Sequence, residues 1–241
     1  MQLAIGLSCA AVIAPAGAAP PEPTAGVPVV LLHGLARSAR SMQPMADALA
    51  ATGRHICNID YPSTTATVTA LAREVVLPAV RQCRGDADTP IDFVTHSMGG
   101  ILVRVLATLD QAPAIGRVVM LSPPNQGSEL VDRMGSWPPF RWWNGPAGLT
   151  LGTDPDSLPA QLGPARFKLG IITGTRSYNP LFSSWIPGPD DGKVSVASAR
   201  LDGMQAFRTV DASHTFIMRN AEVIELTRRF LQTGRFDAPE R

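Results

Sequence analysis

Thr95-His96-Ser97-Met98-Gly99 joins an apolar strand-like run, Ile91-Asp92-Phe93-Val94, to a helical run that opens at Gly99-Gly100-Ile101. A serine on a sharp strand-to-helix turn is held in a strained backbone conformation that lifts its hydroxyl clear of the sheet. The amide of the next residue is then aimed into the same space. Such a hydroxyl attacks a carbonyl at neutral pH only if a base takes its proton as the bond forms. His214 is the base on offer, because of the four histidines it alone follows the last strand-like run, Phe207-Arg208-Thr209-Val210. The acid that orients the imidazole is Asp190 or Asp191, both after the strand-like Leu169-Gly170-Ile171-Ile172-Thr173, whereas Asp211 lies too close to His214 in sequence. Asp60 reads as a loop carboxylate. His33 is expected to brace the turn after the first strand, His96 to pack beside the serine, and His55 to begin a strand in solvent.

The elements that must position these groups are legible as short apolar runs. Val29-Val30-Leu31-Leu32 leads into His33-Gly34-Leu35, a turn that can present a backbone amide beside Ser97. The amides of Leu35 and Met98 are the expected donors to an oxyanion. Ser41 is expected to cap a helix through about Ala51, with Gly53 just beyond it. Ile56-Cys57-Asn58-Ile59 is the next strand, and apolar residues from about Thr67 to Cys83 keep helical spacing, with a kink expected at Pro78. Ile101 to Leu109 is apolar nearly all round except for Arg104. Val118-Val119-Met120-Leu121 is another strand, and a last helix spans about Ala221 to Thr233 between Asn220 and Gly234. Six strands alternating with helices imply an α/β fold, a mostly parallel sheet covered on both faces.

The order Ser, Asp, His is that of the α/β-hydrolases. The chain resembles a bacterial lipase or esterase of that superfamily from about Val27 to Phe236, on four pieces: Pro28-Val29-Val30-Leu31-Leu32-His33-Gly34-Leu35, Thr95-His96-Ser97-Met98-Gly99-Gly100, Pro124-Asn125-Gln126-Gly127-Ser128 and Asp191-Gly192-Lys193-Val194-Ser195. It departs from the pattern at Thr95, where the elbow has glycine, and at Asn125, where such lipases often carry histidine. The resemblance implies the α/β-hydrolase fold with a reduced sheet of about six strands, and a carboxylic ester substrate cleaved through an acyl-enzyme on Ser97. It also places the acid directly before the glycine of Asp-Gly-x-Val, which favours Asp191 over Asp190. An acyltransferase or amidase on the same triad, or a non-catalytic secreted protein that kept the fold, are the competing readings.

At 241 residues with 45% apolar content the chain can bury one substantial core. A net charge of +1 supplies no basic stripe for nucleic acid, so a small-molecule or lipid ester is the expected partner, with transient contact at a lipid interface and a monomeric state. Residues 1–19 read as a signal peptide, because Leu3 to Ala19 is apolar and closes on Ala16-Gly17-Ala18, although no Lys or Arg precedes Arg37. Residues 20–26 are a Pro-rich leader, and residues 27–236 form the single domain, bound for the periplasm or the exterior. In an oxidising compartment Cys57 and Cys83 are either a disulfide or two buried thiols, and the disulfide is the expectation. Residues 125–166, rich in Pro and Gly, are expected to be an irregular lid-like insertion. Its Trp137, Phe140, Trp142 and Trp143 either bind acyl chains or plug a satellite core. Neither a metal nor a cofactor is called for, since no H-E-x-x-H, paired C-x-x-C or Gly-rich phosphate loop occurs.

Overall fold

The computed structural model describes residues 26–86 and 88–237; the expected signal peptide and all of the Pro-rich leader except Gly26 lie outside them. In chain order the elements are β1 (Val29–Leu32), α1 (Gln43–Ala50), β2 (Ile56–Ile59), α2 (Val68–Leu71), α3 (Leu77–Arg84), β3 (Ile91–His96), α4 (Met98–Leu106), β4 (Ile115–Leu121), α5 (Glu129–Met134), α6 (Pro138–Leu149), α7 (Leu158–Gln161), β5 (Lys168–Gly174), α8 (Pro180–Ser183), α9 (Val196–Ala199), β6 (Ala206–Val210) and α10 (Ala221–Thr233). The six strands form one parallel sheet in the order β2-β1-β3-β4-β5-β6. The chain leaves β1 to one side and returns on the other, so β1 and β3 are neighbours whose connections diverge. A crevice opens beyond their carboxyl ends, which is where ligands bind in open α/β sheets.

Continuous apolar strands are what a sheet covered on both faces requires, and the two-residue period divides them between two cores. Val30, Leu32, Phe93, Val118, Met120, Leu169 and Ile171 face α2, α3 and α4. Val29, Leu31, Val94, Val119, Leu121 and Ile172 face α1 and α10, where Phe230 is fully buried. Gly170 makes that second contact possible, since a Cβ there would lie 2.7 Å from the Phe230 ring.

Local chemistry explains where the elements differ from their expected form. Ser41 does not cap α1. It sits in a 3-10 turn, Ala39–Met42, with its hydroxyl donated to the Ser38 carbonyl, and Met42 is the N-cap. The helix expected to kink at Pro78 departs from regular α geometry just ahead of it. A π-helical turn, Ala72–Val76, links α2 to α3 ahead of it, with the Leu77 amide bonded to the carbonyl five residues back, so the chain absorbs the ring by widening one turn. The segment 125–166 is not irregular: it contains α5, α6 and α7, with α6 broken at Gly145-Pro146. Asn220 and Gly234 cap α10 as expected, the asparagine accepting from the Glu222 and Val223 amides and the glycine in the left-handed conformation.

Three further bonds fix the sheet. Arg54 and Asp92, each about 4% exposed, form a short buried ion pair. Asp92 also accepts the Arg117 amide at 2.6 Å, which ties β3 to β4 at the end away from Ser97. A disulfide joins Cys57 on the edge strand β2 to Cys83 near the end of α3, closing 26 positions. His55 lies beside it, 3.3 Å from the Cys57 sulfur. Among the described residues these three are the group that could hold a metal ion, and both sulfurs are engaged in the disulfide. The chain-entropy model predicts that replacing both cysteines by serine costs about 3.5 kcal/mol, read as a fall in the denaturation midpoint with a rise in m-value as the unfolded chain loses its cross-link. Two free thiols in the unreduced, denatured protein would show instead that the bridge does not form.

Candidate active site

β3 ends at His96 and α4 starts at Met98, which leaves Ser97 as the single residue that must reverse the chain. It does so at φ +53° and ψ −123°, a region non-glycine residues rarely occupy and one that costs about 1–3 kcal/mol. Neighbouring glycines let the backbone around it close up. A Cβ on Gly34 would lie 2.8 Å from the His96 ring and 3.1 Å from the Ser97 Cβ, and one on Gly99 would lie 2.7 Å from the Leu32 carbonyl. The turn after β1 and the first turn of α4 are therefore pressed together around the serine. The Met98 amide lies in that first turn, where helical amides lack an intrahelical acceptor.

The structure brings the three predicted side chains into one line. The Ser97 hydroxyl is 3.1 Å from His214 Nε2, and His214 Nδ1 is 2.9 Å from Asp191 Oδ2. His214 and Asp191 are both buried. The other Asp191 oxygen accepts the amides of Lys193 and Val194 at 3.1 and 2.9 Å. Burial raises the Asp191 pKa, but the His214 imidazole, with the Ser122 hydroxyl and the Val194 amide, outweighs it and holds the carboxyl below its ordinary value. Asp191 is thus an anion at neutral pH, bonded to the nitrogen that must carry the proton. Asp190 is turned away and accepts from the Gly192 amide and the Ser183 hydroxyl. Asp211 pairs with Arg176, and Asp60 accepts the Ala39 amide.

The remaining histidines are structural neighbours of this line. His33 stacks on Tyr61, bonds the Gly34 carbonyl through Nδ1 at 2.9 Å and accepts the Tyr61 amide at Nε2. Burial lowers its pKa. His96 donates from Nε2 to the His214 carbonyl at 2.9 Å, a direct tie between the elbow and the loop that carries His214. Burial, and then the neighbouring His214, lower the His96 pKa well below its ordinary value. His55 is exposed, as expected of a strand start.

The cleft at Ser97 encloses about 240 Å³ and is lined by Leu35, Leu130, Met134, Phe140, Trp143 and Phe182, with Arg37 and Lys193 as its cations. Phe140 and Trp143 are thus on the wall of this cleft. Trp142 is not: it is 82% exposed and borders a separate hollow with Trp143 and Pro62. Trp137, 55% exposed, borders neither. Such exposure also contradicts a satellite core built from these rings. A larger hollow, about 680 Å³, lies at the amino ends of the strands against Asp92, Arg117 and Lys168, away from the serine.

A model of the alpha/beta hydrolase family matches residues 29–231, most of the chain. The chain belongs to the alpha/beta hydrolase family. No curated protein matches it significantly in sequence. Among solved structures it is similar to the mature form of the Bacillus licheniformis lipase BlEst2, with a TM-score of 0.66 and 20% identity over 83% of this chain and 89% of that one. It is equally similar to the propeptide form, at 21% identity, but spans only 49% of that chain. Aspergillus fumigatus lipase B has a TM-score of 0.61 and 16% identity over 84% of this chain and 51% of its own. Phospholipase PlaB from Legionella pneumophila has a TM-score of 0.55 and 20% identity over 73% and 45%. At such identities the likeness is one of fold.

Two residues of this α/β-hydrolase domain escaped the sequence reading. Ser122 follows β4 at φ +48° and hydrogen-bonds Asp191, and only the pairing of β4 beside β5 brings it there. Arg104 was visible as the polar exception on α4, yet its role was not. It is buried and bonds the carbonyls of Asn125, Pro159 and Gly163, pinning both ends of the segment 125–166 to the central helix. Burial lowers its pKa to about 10, so the cation persists at neutral pH.

His33 and His96 set a pH dependence. Both have folded pKa values below 6.5, so the unfolded chain binds protons that the native chain refuses. Stability is then complete above that value and is lost as pH falls toward the folded values, by up to about 1.4 kcal/mol per pH unit for each histidine. The depressed Asp191 acts in a lower window, below 3.8. Denaturant titrations between about pH 8 and 5 should give this slope, and His96→Asn should flatten it. An unchanged slope in that variant would remove His96 from the account.

Proposed function

We propose that the protein is a serine hydrolase of carboxylic esters. The reading is carried by the Ser97, His214 and Asp191 hydrogen-bonded line, with its serine on a positive-φ elbow. His214 takes the Ser97 proton as the hydroxyl oxygen attacks the ester carbonyl, and Asp191 holds the imidazole tautomer and steadies the imidazolium. The amides of Leu35 and Met98 receive the oxyanion. His214 then protonates the leaving alcohol, and water releases the acid from the acyl-enzyme by the same route. Neither a metal nor a cofactor has a step in this scheme.

The apolar wall formed by Leu130, Met134, Phe140, Trp143 and Phe182 supports an acyl site, and its small volume supports short chains. Exposed Trp137, Trp142, Leu181 and Phe216 support contact of the rim with a lipid surface. The Cys57–Cys83 bridge supports export to an oxidising compartment.

Ser97→Ala and His214→Ala should each lose ester turnover on the order of a millionfold while keeping the fold, and the double variant should be no worse than either. Asp191→Asn should be severe and Asp190→Asn mild. Turnover of p-nitrophenyl esters checks this, and wild-type turnover in a folded Ser97→Ala protein would refute the reading. Faster transfer to added alcohols or amines than to water would reassign the reaction to acyl transfer. An absence of labelling by a serine-directed organophosphonate would leave a binding protein.

Each acyl methylene buried on the cleft wall is worth about 0.8 kcal/mol. Phe140→Ala and Trp143→Ala should thus weaken butyrate and longer esters more than acetate, whereas Trp142→Ala should not change the chain-length profile. Equal losses on acetate and the longer esters in Trp143→Ala would make that ring a packing residue only.

A further inference from the structure

The cleft wall carries two cations that the hydrolytic line does not use. Arg37 belongs to the turn after β1, two residues beyond Leu35. Lys193 follows Asp191-Gly192 on the loop before α9. Both line the cleft with Ser97 and His214, on two loops that meet there. Arg37 donates one N–H to the Thr215 carbonyl, beside His214. Among the described residues neither side chain forms a salt bridge. The carboxylate nearest in the site, Asp191, is buried and bonded to His214.

Holding two like charges in one small cleft is unfavourable. Lys193 is exposed on its loop, but the protein packed around its amine and then the Arg37 charge lower its pKa, although Asp191 opposes the shift. Desolvation and then Arg219 lower Arg37 likewise. The protein as a whole has a net charge of +1, so this cationic cleft is local and not a by-product of a basic surface. An anion lying between the two cations would relieve their repulsion and take up N–H donors left over from the Thr215 contact. The apolar wall beside them is suited to the acyl part.

Resting on the ester-hydrolase reading, we propose that the cleft selects acyl esters that carry an anionic group, a carboxylate or a phosphate, close to the scissile carbonyl, and that Arg37 and Lys193 are the residues that select it. If the two cations served only to stabilise the oxyanion, neutral and anionic esters would gain alike. The selectivity ratio therefore separates the two roles.

The test measures butanoate release by the full chain from two matched pairs. One is 1-butanoylglycerol against 1-butanoylglycerol 3-phosphate, the other the butanoyl esters of glycolamide and glycolate. The anionic member of at least one pair should have a kcat/KM about tenfold higher at low ionic strength, and the advantage should shrink in salt. The favoured pair tells phosphate from carboxylate. Lys193→Gln and Arg37→Gln should each bring the ratio toward one, and Lys193→Arg should retain it. A ratio near one in the native protein, or one that neither substitution moves, overturns the selection while ester hydrolysis stands. No turnover of the four esters by protein that hydrolyses p-nitrophenyl butanoate overturns the selection alone, and no turnover of that ester either rejects the hydrolase reading with it.

Discussion

The backbone at Ser97 is the constraint to which the other parts answer. A serine at φ +53° is strained, and it persists because the sheet and α4 leave no relaxed alternative. Its amide is bonded to the Leu121 carbonyl on β4, and Gly99 lets the helix press on the β1 backbone. Gly34 lets the turn after β1 lie against the serine itself. Relaxing the elbow would move α4 off the sheet, and α4 is buried along all nine of its residues. The strain is thus held by the burial of the whole of α4, and it fixes one hydroxyl at the switch point between β1 and β3.

Around that point the polar groups are arranged so that charge is confined to where it can act. His33 and His96 are buried and neutral, and each donates a hydrogen bond to a carbonyl near the Ser97–His214–Asp191 line: Gly34 for one, His214 for the other. Asp191 is buried and ionised because two amides, a hydroxyl and the imidazole surround it. Neighbouring Asp190 has the same chemistry but a different job, holding Gly192 and Ser183. One backbone step sends adjacent side chains to opposite sides, so two consecutive aspartates have separate partners.

The segment 125–166 is attached by a different device. Arg104 carries a buried charge without a carboxylate and meets it with three backbone carbonyls from both ends of the segment. Asn125 stands at the centre of this knot, bonding Arg104 through its carbonyl and Ala199 through its side chain. The segment is therefore anchored at its base and free to present aromatic rings at its crest. Gly148 lets α6 rest on Leu35, which links the position of the rim to the turn after β1.

Much of this was written in the chain. Six apolar runs gave six parallel strands because a strand buried on both faces needs no polar alternation, and such a run is easy to read. Asn220 and Gly234 bounded α10 because capping is a local matter. The order of Ser97, Asp191 and His214 could be read because each follows its own strand. What the chain did not declare was anything that depends on which strands are neighbours. Ser122 reaches Asp191 only because β4 lies beside β5. Arg104 finds its carbonyls only when a segment more than 20 residues away folds back over α4. Trp142 and Trp143 are adjacent, identical in type and both exposed, yet only Trp143 lines the cleft at Ser97, since successive helical positions point in directions about a quarter-turn apart. Sequence fixes what a residue can do and which element it sits on, while packing alone decides what it meets.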